Sequence, residues 1–287
     1  MTVIGVVGGS GVYDLDGLED ARWVEVESPF GAPSDAILHG TLDRVEYRFL
    51  PRHGRGHLIP PSAINFRANI DALKRSGVTD LVSVSACGSL QEELSPGTFV
   101  LVDQFIDRTF ARTKTFFDEG IAAHVALADP TCGRLRDALE AAGATAGINL
   151  VIGGTYLAME GPQFSTRAES HLYRSWGCDV IGMTNMPEAK LAREAELCYA
   201  SVAMVTDYDC WHPHHDDVDV AEIVAVLSDN ADRGRALVAG LAPVLRSRTV
   251  PCVAGCDRAL DGAILTAPGV ADPDAVARLD AVAGRVL

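Results

Sequence analysis

The sequence predicts an α/β fold: a single domain built on a mixed, mostly parallel β-sheet with helices on both faces. Short apolar runs of strand length alternate along the chain with amphipathic stretches of helical period. Several of these runs end in small polar or charged residues, as happens where the carboxyl ends of strands face a ligand. The composition is 48% hydrophobic with only 6% aromatic residues, which suits helices packed on a sheet that is buried on both sides. At 287 residues the chain is long enough for a large core, and neither an internal repeat nor a Pro/Ser-rich linker divides it.

The elements follow in order. Residues 3–7 read as a buried strand that runs into Gly8-Gly9-Ser10-Gly11, a loop whose backbone N–H groups are able to converge on an anion but which serves equally as a tight turn. Residues 34–50 read as a strand pair, the second strand being Val45 to Leu50. Pro51-Arg52-His53-Gly54-Arg55-Gly56-His57 follows, a compact cationic loop in an acidic protein and a candidate anion site. Ala63 to Lys74 has helical periodicity and stops at Gly77. Asp80 to Val84 is a strand leading into the small residues Ser85 to Leu90. Phe99 to Gln104 is a further strand, and 107–127 an irregular excursion. Thr131 to Ala142 is a helix. Asn149 to Met159 holds two strands broken at Gly153-Gly154. Thr166 to Trp176 is a helix with a capping box between Thr166 and Glu169. Asp179 to Gly182 is a short strand and Glu188 to Leu197 a strong helix former. Val202 to Thr206 forms an apolar strand ending in Asp207-Tyr208-Asp209. If strand geometry continues, both carboxylates share one face. Val220 to Leu245 is mostly helical, and the tail beyond it offers only a last helix from Pro273 to Val286.

The net charge of −15 argues against nucleic acid or an anionic membrane as the main partner. No apolar run approaches the ~18 residues of a membrane span, and Met1-Thr2-Val3-Ile4-Gly5 lacks a basic leader, so a cytoplasmic location is expected. The seven scattered cysteines do not form a disulfide framework. Cys252 and Cys256 lie close enough for a local disulfide or metal contact, but free thiols are the expectation. His212, His214, His215, Asp216 and Asp217 resemble a ligand set. Pro213 and the polar context favour a surface loop, so no metal site is expected.

Taken together, certain segments resemble the S-methyl-5'-thioadenosine phosphorylase family within the trimeric purine nucleoside phosphorylases. They are Gly8–Gly11, Pro51–Arg55, Asn65–Asn69, Ser85–Leu90, Asp103–Thr109, Glu160–Pro162, Phe164–Ser170, Met183-Thr184, Pro187-Glu188 and Thr206–Trp211, in the family's order over about residues 3–230. The resemblance implies a purine nucleoside phosphorylase-like fold and phosphorolysis of S-methyl-5'-thioadenosine to adenine and 5-methylthioribose 1-phosphate, in purine and methionine salvage. It implies phosphate as co-substrate, no metal or organic cofactor, and a homotrimer with shared sites. The phosphate site would be Ser10, Arg52, His53, Ser85, Ala86 and Thr184. Met183 would lie against the ribose, and Phe164 and Ser165 at the purine. His124 would be lent by a neighbouring subunit, and His57, Val218, Val220 and Ile223 would line the 5'-methylthio group. Asp207 would be the general acid at N7 and Asp209 the reader of the 6-amino edge. A carboxylate accepts from an amino group and is a poor partner for a 6-oxo group, so the acid pair points to adenine. Ser10 and Ser85 stand where the family often has Thr, and Gln163 where Arg is usual. Two other readings remain: a phosphorylase of 6-oxopurine nucleosides (a purine nucleoside or methylthioinosine phosphorylase), and a nucleoside-binding protein without catalysis.

Overall fold

The computed structural model describes residues 2–9, 11, 13–213, 220–246, 251–267 and 269–287. Its elements are β1 (Val3–Gly8), β2 (Glu19–Val24), β3 (Ile37–Leu42), β4 (Val45–Pro51), α1 (Phe66–Arg75), β5 (Asp80–Ser89), β6 (Phe99–Val102), β7 (Gln104–Arg108), α2 (Gly133–Thr145), β8 (Leu150–Ile152), β9 (Thr155–Met159), α3 (Arg167–Ser175), β10 (Val180–Gly182), α4 (Asn185–Glu194), β11 (Cys198–Asp207), α5 (Val220–Ala239), α6 (Leu241–Leu245), α7 (Pro273–Arg278) and α8 (Asp280–Ala283). Among the described residues, no helix is long and apolar enough to cross a membrane.

The strands form one mixed sheet, in the order β2-β3-β4-β1-β5-β10-β9-β7, with β11 paired to β5 and β6, and β8 to β6. Strand alternation divides the core between its two faces. Val7, Leu50 and Leu81 face one side, with Phe66, Ile70 and Leu73 of α1 and Ala189 and Leu191 of α4. Ile4, Val6, Val82 and Val84 face the other, with Leu135 and Leu139 of α2, Leu237 of α5 and Leu241 of α6.

Strand β5 is the hub. Its first residues, Asp80 to Ser83, pair with β1 on one edge, and β11 runs along the other edge as far as Gly88. Gly88 and Ser89 then pair with β10 on the edge that β1 has left. Among the described residues, Val84 to Cys87 therefore has no strand partner on that edge. The sheet splits there, and the ends of β1, β4 and β10 open around the split.

The structure departs from the sequence expectation at several elements. Strand β5 runs to Ser89 instead of stopping at Val84, because Ser85, Ala86 and Gly88 stay in ladder contact with β11. Strand β2 was not foreseen; every residue from Glu19 to Trp23 is exposed, so no apolar alternation marks it. The strand expected over Phe99 to Gln104 is two, β6 and β7, and β7 enters the supposed irregular excursion by pairing with β9. The helix of Val220 to Leu245 breaks after Ala239 into α5 and α6, and the tail helix divides into α7 and α8. The capping box at α3 is present, with Thr166 accepting from Glu169 N–H and Glu169 accepting from Thr166 N–H.

The end of α4 carries a titration that bears on stability. Glu194 is 7% exposed and accepts from Phe116 N–H (2.7 Å) and Thr115 Oγ1–H (2.8 Å). Burial outweighs these bonds and raises its carboxyl to about 7 from an ordinary 4.5. A folded-state pKa above the unfolded value gives stability that is full below pH 4.5 and lost as pH rises through 7. Urea denaturation of wild type and Glu194→Gln should therefore diverge over that window. The variant should gain on the order of 3 kcal/mol relative to wild type between the acid and neutral ends, and parallel pH profiles would show that Glu194 does not titrate in this range.

Candidate active site

Around the split in the sheet, one buried cation ties the strand ends together. Arg52, which follows β4, is 1% exposed. Its guanidinium donates to Glu188 Oε2 from Nε (2.9 Å), to Val84 O from Nη1 (3.2 Å), and to Val7 O and Ser83 Oγ from Nη2 (3.1 and 2.6 Å). Burial works against its charge, but the Glu188 carboxylate outweighs this and raises its pKa. Tyr199 Oη–H donates to the same carboxylate at 3.0 Å. Most Arg52 donors are thus committed within the protein. What it offers an anion is a fixed positive charge and the remaining Nη1 hydrogen.

His53 follows directly. Its Nδ1 lies 2.8 Å from Ile59 O, so that nitrogen carries the proton, and its ring stacks on His57 at 4.2 Å. Burial, with smaller effects from Arg52, His57 and Arg112, lowers its pKa to about 4. The ring is therefore neutral and presents Nε2 as an acceptor.

Ser85 of β5 and Thr184, just after β10, converge on one atom. Both hydroxyls donate to Asn185 Oδ1, at 3.1 and 3.3 Å, and Asn185 Nδ2–H donates to Ser201 Oγ. The buried Tyr156 hydroxyl lies beside them, close enough that both hydroxyls bear on its acidity. Ala86 follows Ser85 on the same strand. Of the glycine loop, Gly9 and Gly11 are described, and Arg235 of α5 donates from Nη1 to Gly11 O at 2.7 Å. Ser10 lies outside the described residues, as do Val218 and four members of the supposed metal set, His214, His215, Asp216 and Asp217. The fifth, His212, pairs with Glu92 through Nε2 at 3.1 Å.

The acid pair sits where β11 ends. A bulge interrupts the pairing between Val205 and Asp207. The chain then turns, with Asp209 in the left-handed region at φ +49°. The two carboxylates therefore do not share a face by strand alternation. A turn brings them together instead, with Asp209 N–H donating to Asp207 Oδ1 at 2.8 Å. Thr206 Oγ1–H donates to Asp207 Oδ2 at 2.7 Å, so each Asp207 oxygen accepts a hydrogen bond. Gly88 has to be glycine here, since a Cβ on it would stand 2.9 Å from Asp207 Oδ1. Asp209 is 5% exposed, and burial raises its pKa against the opposing effects of Ser170, Cys210 N–H and Ser165.

The loop after β9 completes the rim. Ser165 O accepts from Cys210 Sγ–H at 3.3 Å, which binds this loop to the acid turn, while Phe164 is 43% exposed. Gly161, at φ +69°, lets Met183 pack against it; a Cβ there would meet the sulfur at 2.5 Å. Arg112 holds both sides of this contact, donating to Met183 O (2.6 Å), Met186 O (2.7 Å) and Glu160 O (2.6 Å). Val220 opens α5 and is exposed; Ile223 is half-buried one turn on. His124 N–H donates to Ala263 O at 2.9 Å, on the loop bridged to the tail by Ala123 and Ile264. Among the described residues no hydrogen bond joins His124 to the strand-end cluster of the same chain.

Sequence reasoning missed Asn185, Arg112 and Arg235, which hold the others, and the buried Tyr156 beside them. Glu188 entered only as part of a family segment. None stands in a polar motif, and Arg112 lies in the segment read as irregular.

A sheet split by a hub strand, with a cation, paired hydroxyls and an acid pair at the strand ends, defines a site for an anion beside a polar organic group. A model of the Phosphorylase superfamily matches residues 3–243. An S-methyl-5'-thioadenosine phosphorylase of Cereibacter sphaeroides is 66% identical over 286 residues, covering 100% of this chain and 99% of that protein. One from Rhodospirillum rubrum is 62% identical, covering 99% and 97%. Among solved structures, a methylthioadenosine phosphorylase from an antarctic soil metagenomic library superposes with a TM-score of 0.93 at 45% identity, covering 98% of both chains. The Schistosoma mansoni methylthioadenosine phosphorylase in complex with adenine gives 0.86 at 35% identity, covering 92% and 99%. The chain belongs to the phosphorylase superfamily and, within it, to the S-methyl-5'-thioadenosine phosphorylase family.

The Arg52–Glu188 pair is the element on which the site's geometry should prove most sensitive. Glu188→Gln leaves a buried guanidinium without its countercharge. Urea denaturation should show a loss of about 3–5 kcal/mol; a loss under 1 kcal/mol would mean that the carbonyls of Val7 and Val84 suffice to hold Arg52.

Proposed function

We propose that the protein catalyses phosphorolysis of S-methyl-5'-thioadenosine to adenine and 5-methylthioribose 1-phosphate. The observation that carries this is the acid pair of Asp207 and Asp209, set by one turn at the end of β11 beside the strand-end hydroxyls and Arg52. A phosphate oxygen forms a bond to the anomeric carbon as the bond from that carbon to purine N9 breaks, and the purine leaves neutral once N7 receives a proton. The sugar becomes cation-like, so placing the phosphate matters more than activating it.

In this reading Arg52 supplies fixed positive charge, and Ser10, Ser85 and Thr184 turn their hydroxyls from internal partners to the phosphate oxygens. The backbone at Ala86 lies between them. His53, neutral, accepts from the P–OH of hydrogen phosphate through Nε2. Met183 borders the ribose, held by Arg112. Phe164 and Ser165 border the purine, and His57, Val218, Val220 and Ile223 the 5'-methylthio group. Asp209, whose proton is favoured by burial, faces the 6-amino edge. Asp207 delivers the proton to N7. Hydrogen bonds from Thr206 Oγ1–H and Asp209 N–H hold its carboxyl in place.

The site works with phosphate as co-substrate and without a metal or organic cofactor. The protein acts in the cytoplasm, in purine and methionine salvage, as a homotrimer in which His124 of each subunit completes a neighbour's site. Large exposed apolar side chains support a partner surface of this kind. Phe110 is 83% exposed and Leu58 81%, both close in sequence to site residues.

Release of free base from methylthioadenosine, adenosine and inosine, each with and without phosphate, tests the assignment. Phosphate-dependent adenine release from methylthioadenosine should be fastest. Fastest turnover of inosine would establish a 6-oxopurine enzyme, and no turnover a binding protein. Asp207→Asn should lower kcat for methylthioadenosine by about 10²–10⁴-fold. Asp209→Asn should reduce the preference for 6-amino over 6-oxo nucleosides by roughly tenfold. Unchanged adenine release in both variants would sink the division of roles.

A further inference from the structure

At the opposite end of β11 from the acid pair, four cysteines meet. Cys198 opens that strand and Cys132 directly precedes α2, while Cys252 and Cys256 belong to the tail. All four are buried, and their sulfurs lie within 4.8 Å of one another, with Cys132 Sγ and Cys252 Sγ 3.5 Å apart. Only Cys252 and Cys256 are neighbours in sequence. The fold brings the other two from 54 or more residues away, as the separation of Cys198 from Cys252 shows. Among the described residues, no disulfide joins any of the seven cysteines.

We propose that Cys132, Cys198, Cys252 and Cys256 bind one zinc ion in a closed structural site that fastens the C-terminal segment to the sheet. Four thiolates at about 2.3 Å from a tetrahedral zinc stand roughly 3.8 Å from one another, so sulfurs already within 4.8 Å need only small movements to close on an ion. Four soft sulfur ligands with no water position select zinc among the common divalent cations and mark a structural site.

Cys252-Val253-Ala254-Gly255-Cys256 makes a tight turn, with Gly255 at φ +70° and its N–H on Cys252 O at 2.9 Å. Cys132 receives an N–H from Leu135 in the first turn of α2, the positive end of that helix. Such N–H to sulfur bonds are the outer-shell support that metal thiolates use. Arg134, which pairs with Asp80, stands beside Cys198, and Arg193, which donates to Asp129 O, stands near Cys256. On binding, four zinc–sulfur bonds form and the remaining S–H protons pass to solvent. No electron is transferred.

The site has a clear mechanical task. Asp257 Oδ2 accepts from Cys252 N–H at 2.8 Å, and Leu260 N–H donates to Glu196 Oε1 at 2.9 Å just beyond the cluster. From there the chain runs to the strand contact at Ile264 and to α7 and α8. Cys198 and Asp207 are the two ends of one ten-residue strand, about 30 Å apart. The metal would thus act on stability and not on the reaction.

The test is metal analysis of untagged wild-type protein, purified under reducing, chelator-free conditions and, separately, stripped and reconstituted with zinc. About one zinc per chain is expected. Cobalt reconstitution should give the intense charge-transfer and ligand-field bands of a tetrahedral thiolate site. Stripping should lower Tm while leaving kcat of the folded enzyme unchanged. Cys252→Ser and Cys132→Ser should lose the zinc, and Cys178→Ser should keep it. Because the wild-type stoichiometry does not depend on any variant folding, it decides by itself. Zinc far below one equivalent in both preparations would overturn the proposal. So would fewer than seven thiols in the denatured, non-reduced protein, which would show disulfides in place of metal.

Discussion

The site depends on the buried ion pair of Arg52 with Glu188. One guanidinium accounts for carbonyls near the end of β1 and in the middle of β5, where the sheet splits, and for the carboxylate of α4, which Tyr199 of β11 also contacts. Each contact comes from a different element, so the pair sets how far apart the strand ends stand where the sheet splits. An ion pair so buried contributes little net stability compared with apolar packing of the same shape. What it provides is position: a planar group with five fixed donors admits few arrangements of its acceptors. The cost of desolvating it is reasonable only if the charge is used, and the adjacent opening between β1 and β10 is where an anion would use it.

Much of the fold was legible because buried strands and amphipathic helices carry strong periodic signals. Strands β1, β4, β9 and β11 and helices α1 and α3 follow directly from apolar runs and caps. Strand β2 did not, because a strand exposed along nearly its whole length has no apolar pattern to read. The end of β5 was taken for a loop because Ser85, Ala86, Cys87 and Gly88 are small and polar enough to resemble one. They are small because Arg52, Asp207 and Tyr156 crowd that end of the sheet. At such places local propensity yields to the site.

The residues of the site were legible only in groups, each weak alone: a glycine loop, a cationic loop, a small-residue strand end and an acid pair. What the sequence could not display was the layer that orients them. Asn185 gathers Ser85 and Thr184, two hydroxyls 99 residues apart in sequence, and Arg112 anchors Met183 from a segment without periodic signal. The four-cysteine cluster was hidden for the same reason. Spacing exposes Cys252 and Cys256, but Cys132 and Cys198 join them only because β11 starts beside the start of α2, with Cys132 N–H on Tyr199 O at 2.7 Å.

Strand β11 therefore joins two kinds of chemistry at its two ends, and its own sequence explains the separation. Between Cys198 and Asp207 every side chain is buried and uncharged, so no charged group lies along the strand between the thiols and the acids. At the far end the two carboxylates are distinguished by environment, not by residue type. Asp207 accepts two hydrogen bonds that stabilise its charge, whereas Asp209 is buried with its pKa raised. Adjacent acids with different environments can hold one proton between them without a fixed owner. The turn at Asp209 matters for this reason. A straight strand would have put both acids on one face, whereas the turn gives each its own surroundings.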